Sequence, residues 1–184
     1  ELKGFLYTNI NDNNPLKSKP TDYQIIGNWE EFHFNAEDRC VIGVADVEWR
    51  ETIYNYLKSK VWFMPLIATN TFIGKFNNIP DGTLIAPFCT IQTNVKMGVG
   101  CMFNIGTCIG HDSEIGNFCS FMGGTTIAGN CLIGEKVYTG INVGIIPEIQ
   151  IADKVLIGAG STVIKNVTKT GCTVFGNPAR EIPK

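Results

Sequence analysis

Residues 103–133 read FNIGTCIGHDSEIGNFCSFMGGTTIAGNCLI, from Phe103 to Ile133. Every sixth residue is large and apolar: Phe103, Ile109, Ile115, Phe121, Ile127, Ile133. The column runs outward in both directions, from Ile67 to Val163, without a slip, and only Thr139 breaks its chemistry. Four residues after each member comes a second column of small or β-branched residues. Cys101, Thr107, Ser113, Cys119, Thr125 and Cys131 belong to it, and Asn77 is its exception. A short period held this long is the signature of a solenoid.

A period of six fits neither an α-helix nor an alternating strand. It fits a short strand, a turn and the next strand. Three hexapeptides then close one triangular coil, with the large residue in the corner of the prism and the small one beside it. Parallel ladders join the coils at a rise of about 4.8 Å, and about five and a half coils fit between Ile67 and Lys165. Glycine often follows the large residue (Gly74, Gly98, Gly110, Gly116, Gly134, Gly140, Gly158), which marks these as tight corners where a missing Cβ is useful. A solenoid exposes its surface in ordered rows, so chemistry can be placed by counting. A purely structural solenoid, such as an ice-binding protein, wants a monotonous outer row of threonines, and here the outer positions are mixed.

The chain has 184 residues and a net charge of −2, well spread. Nothing points to a nucleic-acid surface or a basic membrane patch. No apolar run approaches the ~20 residues that span a bilayer, and no secretory signal is visible. Of seven cysteines, Cys89, Cys101, Cys119 and Cys131 fall in the inward small slot, where cysteine packs as a small hydrophobe. No CxxC pair occurs, so a zinc or redox motif is not expected. Reduced thiols in a cytoplasmic protein are the simplest reading. The chain opens on Glu1 rather than methionine and enters a strand-like run at Phe5, as a fragment or processed chain would.

The repeat is absent from residues 1–66. Gly4–Tyr7 reads as a strand, Asn9–Pro20 as a loop, and Tyr23–Ile26 as a short extended piece. Arg39–Gly43 reads as a strand. Asp46 caps a helix to about Ser59, with Val47, Ile53, Tyr54 and Leu57 on one face. Val61–Met64 is the last strand. Strand, helix, strand predicts a small α/β domain with a parallel sheet over residues 1–66, followed by a β-helix over 67–184. Ligands of such a sheet bind at the carboxyl ends of its strands, which gives Thr8 and Asn9, and Gly43 to Asp46, as candidates against ordinary loop residues.

There are two histidines. His33 lies in a polar and aromatic stretch with no partner motif and reads as a surface or packing residue. His111 follows Ile109-Gly110 and stands at the third slot of its hexapeptide, on an outward turn, with Asp112 next to it. A neutral imidazole takes a proton from an amine or hydroxyl near neutral pH, and a nearby carboxylate fixes its tautomer. Eighteen residues on is Gly129, stacked above His111, whose open backbone N–H could hold a thioester carbonyl oxygen as charge develops on it. A lone solvated histidine is the competing reading.

The run from Ile109 to Phe118, Ala128-Gly129-Asn130, and the tail Ile157-Gly158-Ala159-Gly160-Ser161 with Gly176-Asn177-Pro178-Ala179-Arg180 resemble the hexapeptide-repeat sugar acetyltransferases. Within these, the nearest are the bacillosamine-type nucleotide-aminosugar N-acetyltransferases and the sialic-acid O-acetyltransferases. The resemblance implies a left-handed β-helix after a Rossmann-like domain, here truncated, and a homotrimer with acetyl-CoA lying between neighbouring β-helices. It implies His111 as general base and Asp112 as its neighbouring acid. It gives Gly129 as the amide donor to the thioester. Gly140, Gly158 and Ala159 would line the pantetheine groove with open backbone, and Lys165 and Arg180 would contact the nucleotide phosphates. Asn9 and Gly43 would contact the sugar nucleotide, and no metal is needed. Two departures stand out. Ser120 occupies the place of a second histidine found in some relatives, and the first strand and glycine-rich turn of relatives are missing.

The function expected is acetyl transfer from acetyl-CoA to the amine of a nucleotide-linked aminodeoxy sugar, both substrates meeting directly. Alternatives are O-acetylation of a sialic acid or other sugar hydroxyl, and a non-catalytic trimeric scaffold. A β-helical carbonic anhydrase would bind zinc through three histidines, which this chain cannot assemble.

Overall fold

The computed structural model describes residues 2–7 and 22–183, so Thr8 and Asn9 lie outside the described residues. The chain divides into two compact units, Glu1–Asp38 and Arg39–Lys184. In the first, β1 (Phe5–Tyr7) pairs in parallel with β2 (Ile25–Asn28), and Lys3 bonds Asp38 at 2.5 Å.

The second unit begins with β3 (Arg39–Cys40), α1 (Val47–Leu57) and β4 (Trp62–Phe63). The helix starts where expected: the Asp46 carboxylate accepts from the Trp49 N–H at 2.9 Å. β3 and β4 pair in parallel with each other, separately from β1 and β2. The single parallel sheet expected over residues 1–66 is therefore two separate parallel pairs among the described residues. The helix buries Ile53 and Leu57 as expected, but also Arg50, which is 1% exposed.

From Leu66 the chain is a β-solenoid with three faces. Two-residue strands stack in parallel with partners eighteen residues apart, as Phe103 on Phe121 and Ile109 on Ile127. The first face runs through Leu84, Met102, Ser120 and Tyr138, the second through Thr90, Cys108, Thr126 and Gly144, and the third through Lys96, Glu114, Leu132 and Gln150. The third face starts one coil late. Pro80 stands where Gly98 donates its N–H to the next coil, and proline has none to give. A hairpin, Thr173–Gly176 with Ala179–Ile182, closes the far end.

The two sequence columns both point inward. Ile91, Phe103, Ile109, Phe121, Ile127 and Ile157 are fully buried. Most polar members of the small column reach a carbonyl on the next coil, whereas the buried hydroxyl of Thr83 has no partner among the described residues. Cys119 Sγ donates to Gly134 O at 3.0 Å, Cys101 Sγ to Gly116 O at 3.2 Å, and Ser113 Oγ to Ala128 O at 3.2 Å. Thr139, the one break in the large column, is buried with its hydroxyl 2.9 Å from that of Thr125. The seven cysteines are free thiols.

The turns correct one expectation. The left-handed backbone does not fall on the glycines after the large residue. It recurs at every sixth residue from Phe76 to Gly160, including Asn94 (φ 56°), Asp112 (φ 57°) and Asn130 (φ 59°). The glycines after the large residue serve close approach instead. A Cβ on Gly110 would collide with the Ala128–Gly129 peptide, and one on Gly140 would come within 2.5 Å of the Ala159 nitrogen.

Candidate active site

His111 stands on the corner between the second and third faces. Its column, eighteen residues per step, holds Thr93 below it and Gly129 and Pro147 above. The ring is exposed, and Nδ1 lies 2.7 Å from Asp112 Oδ2. The left-handed conformation of Asp112 turns its side chain back beside the histidine, and Asp is among the few side chains that tolerate it. Asn94 donates Nδ2–H to the other carboxylate oxygen at 2.6 Å. These two bonds, Asn94 first and then His111, hold the Asp112 carboxyl below the ordinary carboxylate range. Asp112 is thus an acceptor at neutral pH. Its bond from His111 assigns the imidazole proton to Nδ1 and leaves the Nε2 lone pair outward.

Gly129 lies against the face of that ring. A Cβ built on it would sit 2.8 Å from His111 Nε2 and 2.9 Å from Cε1, so any side chain would press on the imidazole. Its carbonyl accepts from Glu148 N at 3.1 Å, and its N–H makes no hydrogen bond among the described residues. The exposed imidazole and an amide without a hydrogen bond thus share one corner. The His111 N–H is itself held by Gln92 Oε1 at 3.1 Å. Gln92 and Asn94 were missed by the sequence reading. Counting back eighteen from Asp112 gives Asn94, the same arithmetic that found Gly129 by counting forward.

Lys165 and Arg180 are brought together: both line a cavity of about 320 Å³ with Asn166 and Lys169. Gly140, Gly158 and Ala159 are not brought to His111. They stand at the next corner, across the second face. The N–H groups of Gly140 and Gly158 are not open either, being used by Ile157 O and Val174 O. The ring of Phe175 lies against Gly158, where a Cβ would collide with it. A larger hollow of about 750 Å³ on the third face has neither His111 nor Gly129 in its wall. His111 occupies an open corner, and a substrate there would need a second wall.

Gly43 is exposed, with nothing within 4 Å of a Cβ built on it, on the loop before α1. That loop is anchored by Ser120, whose Oγ donates to Ala45 O at 2.7 Å, so the residue in place of a second histidine is fully buried and structural. His33 is exposed with Nδ1 3.0 Å from Glu31 O, a surface histidine as expected. Burial pushes the Cys108 thiol up, away from a nucleophile's requirement. Among the described residues there is no group of three or more His, Cys, Asp or Glu that could hold a metal, and no helix long and apolar enough to cross a membrane.

No family model matches the chain. It is 34% identical over 120 residues to GDP-perosamine N-acetyltransferase from Escherichia coli O157:H7, covering 62% of this chain and 54% of that protein. The chain thus spans about half the length of that relative. Among solved structures, WeeI from Acinetobacter baumannii AYE superimposes with TM-score 0.83 at 28% identity, covering 92% of this chain and 84% of that one. The acetyltransferase domain of PglB from Neisseria gonorrhoeae FA1090 gives TM-score 0.82 at 22% identity, over 88% and 80%. The same domain in complex with acetyl coenzyme A gives 0.75 at 20%, over 88% and 80%. The chain is a hexapeptide-repeat β-solenoid, similar in sequence and fold to sugar acetyltransferases of that type. The recognition made from the repeat and the His111 segment stands.

Proposed function

We propose that this protein transfers an acetyl group from acetyl-CoA to the amine of a nucleotide-linked aminodeoxy sugar, with His111 as general base. The observation that carries this reading is the pairing at one corner of the His111 ring, bonded through Nδ1 to Asp112, with the unbonded N–H of Gly129. His111 Nε2 takes the proton as the amine attacks the thioester carbonyl. Gly129 N–H donates to the carbonyl oxygen as it gains charge. The C–N bond forms, the C–S bond breaks, and the proton passes on to the departing sulfur. A bound thioester would lie along the His111 column. Lys165 and Arg180 together line a hollow that suits phosphates.

The similarity to a GDP-perosamine N-acetyltransferase supports an amine on a nucleotide sugar as acceptor. The acetyl-CoA complex of the PglB domain supports the donor. A homotrimer would supply the missing second wall, with Gly140, Gly158 and Ala159 of a neighbouring copy facing His111. In this reading the winding is left-handed, and residues 1–66 serve as a Rossmann-like nucleotide-sugar domain before the β-helix of 67–184. The parallel pairing of β3 and β4 around a helix supports that, and Gly43 is the described candidate for acceptor contact. Free thiols suit the cytoplasm.

The test is a panel of UDP-, dTDP- and GDP-linked aminosugars assayed for free CoA. One aminosugar should release CoA, and its N-acetylated form should not. Release with sugars that carry only hydroxyls would move the assignment to O-acetylation. No binding of acetyl-CoA by calorimetry would leave a scaffold. His111→Ala should lower turnover by roughly 10²–10⁴-fold.

A further inference from the structure

The base at the His111 corner is set by a residue one coil below it. Asn94 Nδ2 lies 2.6 Å from Asp112 Oδ1, and Asp112 Oδ2 lies 2.7 Å from His111 Nδ1. The two carboxylate oxygens are thus divided between the two partners. A carboxylate held at one oxygen cannot rotate freely, so the other oxygen stays on the Nδ1 side of the ring.

Asn94 has a simpler explanation. It occupies the left-handed slot, which asparagine tolerates, and Asn130 and Asn142 occupy the same slot elsewhere. The bond separates the two explanations. Asn130, one coil above Asp112 in the same column, makes no side-chain hydrogen bond among the described residues, whereas Asn94 makes a short one to a charged acceptor. Left-handed tolerance accounts for the backbone of Asn94 but not for the direction of its amide.

We propose that Asn94 is a positioning residue for the proposed transfer: it clamps Asp112 so that His111 keeps its proton on Nδ1 and its lone pair on Nε2. The role rests on the acetyl-transfer reading, but the clamp itself is a property of the free protein. Gln92 works beside it by holding the His111 N–H from the same coil.

The slot makes a clean test available. Glycine stands in it at Gly82, Gly100, Gly106, Gly124 and Gly160, so Asn94→Gly removes the amide without strain. Lys154→Gly makes the same backbone exchange at the helix corner and serves as the control. Asn94→Asp keeps the size but sets one carboxylate against another. The first readout is the ¹⁵N shifts of the His111 ring in the free protein near pH 8, assigned by their loss in His111→Gln. The parent and Lys154→Gly should show Nδ1–H. Asn94→Gly and Asn94→Asp should show a substantial Nε2–H population. The second readout is CoA release with acetyl-CoA and the aminosugar of the panel. Turnover should fall on the order of tenfold, the weight of one charge-assisted hydrogen bond, with KM for acetyl-CoA unchanged. An unchanged tautomer in both Asn94 variants would overturn the proposal, as would an equal turnover loss in Lys154→Gly. A changed tautomer in a protein that acetylates nothing would uphold the clamp and sink the acetyl-transfer reading instead.

Discussion

Two corners of the same solenoid use the same backbone for opposite ends. At the His111 corner the left-handed slot presents Asn94 and Asp112 to solvent, and the hydrogen bonds there hold an exposed imidazole. At the helix corner the slot holds Gly100, Phe118 and Lys136, and α1 lies over it. Arg50 from that helix is buried, and all five of its N–H donors meet backbone carbonyls. Nε reaches Gly100 O at 2.6 Å, Nη1 reaches Val44 O at 2.6 Å and Ala45 O at 3.2 Å, and Nη2 reaches Phe118 O at 2.8 Å and Cys119 O at 3.0 Å. Burial lowers its pKa, and the charge survives because every proton has an acceptor. Tyr54 seals the edge, stacked on Phe63 at 4.7 Å and edge-on to Phe118 at 5.4 Å. One corner is spent on stability and the other left open for chemistry.

That contrast can be broken at both ends. His111→Ala and Arg50→Met should have mirror-image effects. The first should leave the midpoint of urea unfolding nearly unchanged while turnover collapses as given above. The second strands the carbonyls of Val44, Gly100 and Phe118 and should cost about 3–5 kcal/mol of stability in the same unfolding experiment. An Arg50→Met protein of unaltered stability would refute the description of that corner.

Gly129→Ala comes next. Its Cβ would crowd the imidazole at 2.8 Å, so turnover should fall by roughly 10²-fold. The melting temperature should barely move, because the ring is exposed and can swing away. A fully active Gly129→Ala would mean that the ring and the amide do not work side by side. The smallest effect belongs to Ser120→Ala. It removes one hydrogen bond to Ala45 O and should cost about 1 kcal/mol in urea unfolding. A loss of chemistry at constant stability would instead give Ser120 the catalytic role of the histidine it replaces.

Much of the site was legible because a solenoid turns sequence distance into spatial distance. A step of eighteen places Gly129 on His111, and the structure keeps that step through the straight part of the ladder. Where the step fails, counting fails too. Leu156 pairs with Thr173, a step of seventeen, so nothing beyond Val163 could be placed by the rule. The open backbone expected at Gly140 and Gly158 failed for a different reason. The repeat says that a residue lies at a corner, but not whether a glycine there frees its N–H or merely lets the next coil come close. Arg50 was invisible because a charged residue on an amphipathic helix reads as solvated, and its acceptors Gly100, Phe118 and Cys119 lie fifty and more residues away.

The sequence by itself determined the six-residue period, the inward columns, the place of His111 beside Asp112 and under Gly129, and the helix start at Asp46. These follow from local spacing, which a regular ladder converts directly into contacts. Only the tertiary structure decided which oxygen of Asp112 faces which partner, that Arg50 is buried against backbone carbonyls, and that Lys165 and Arg180 share one hollow. Those depend on side-chain direction and on the docking of a helix against a ladder, and neither is written in a period of six.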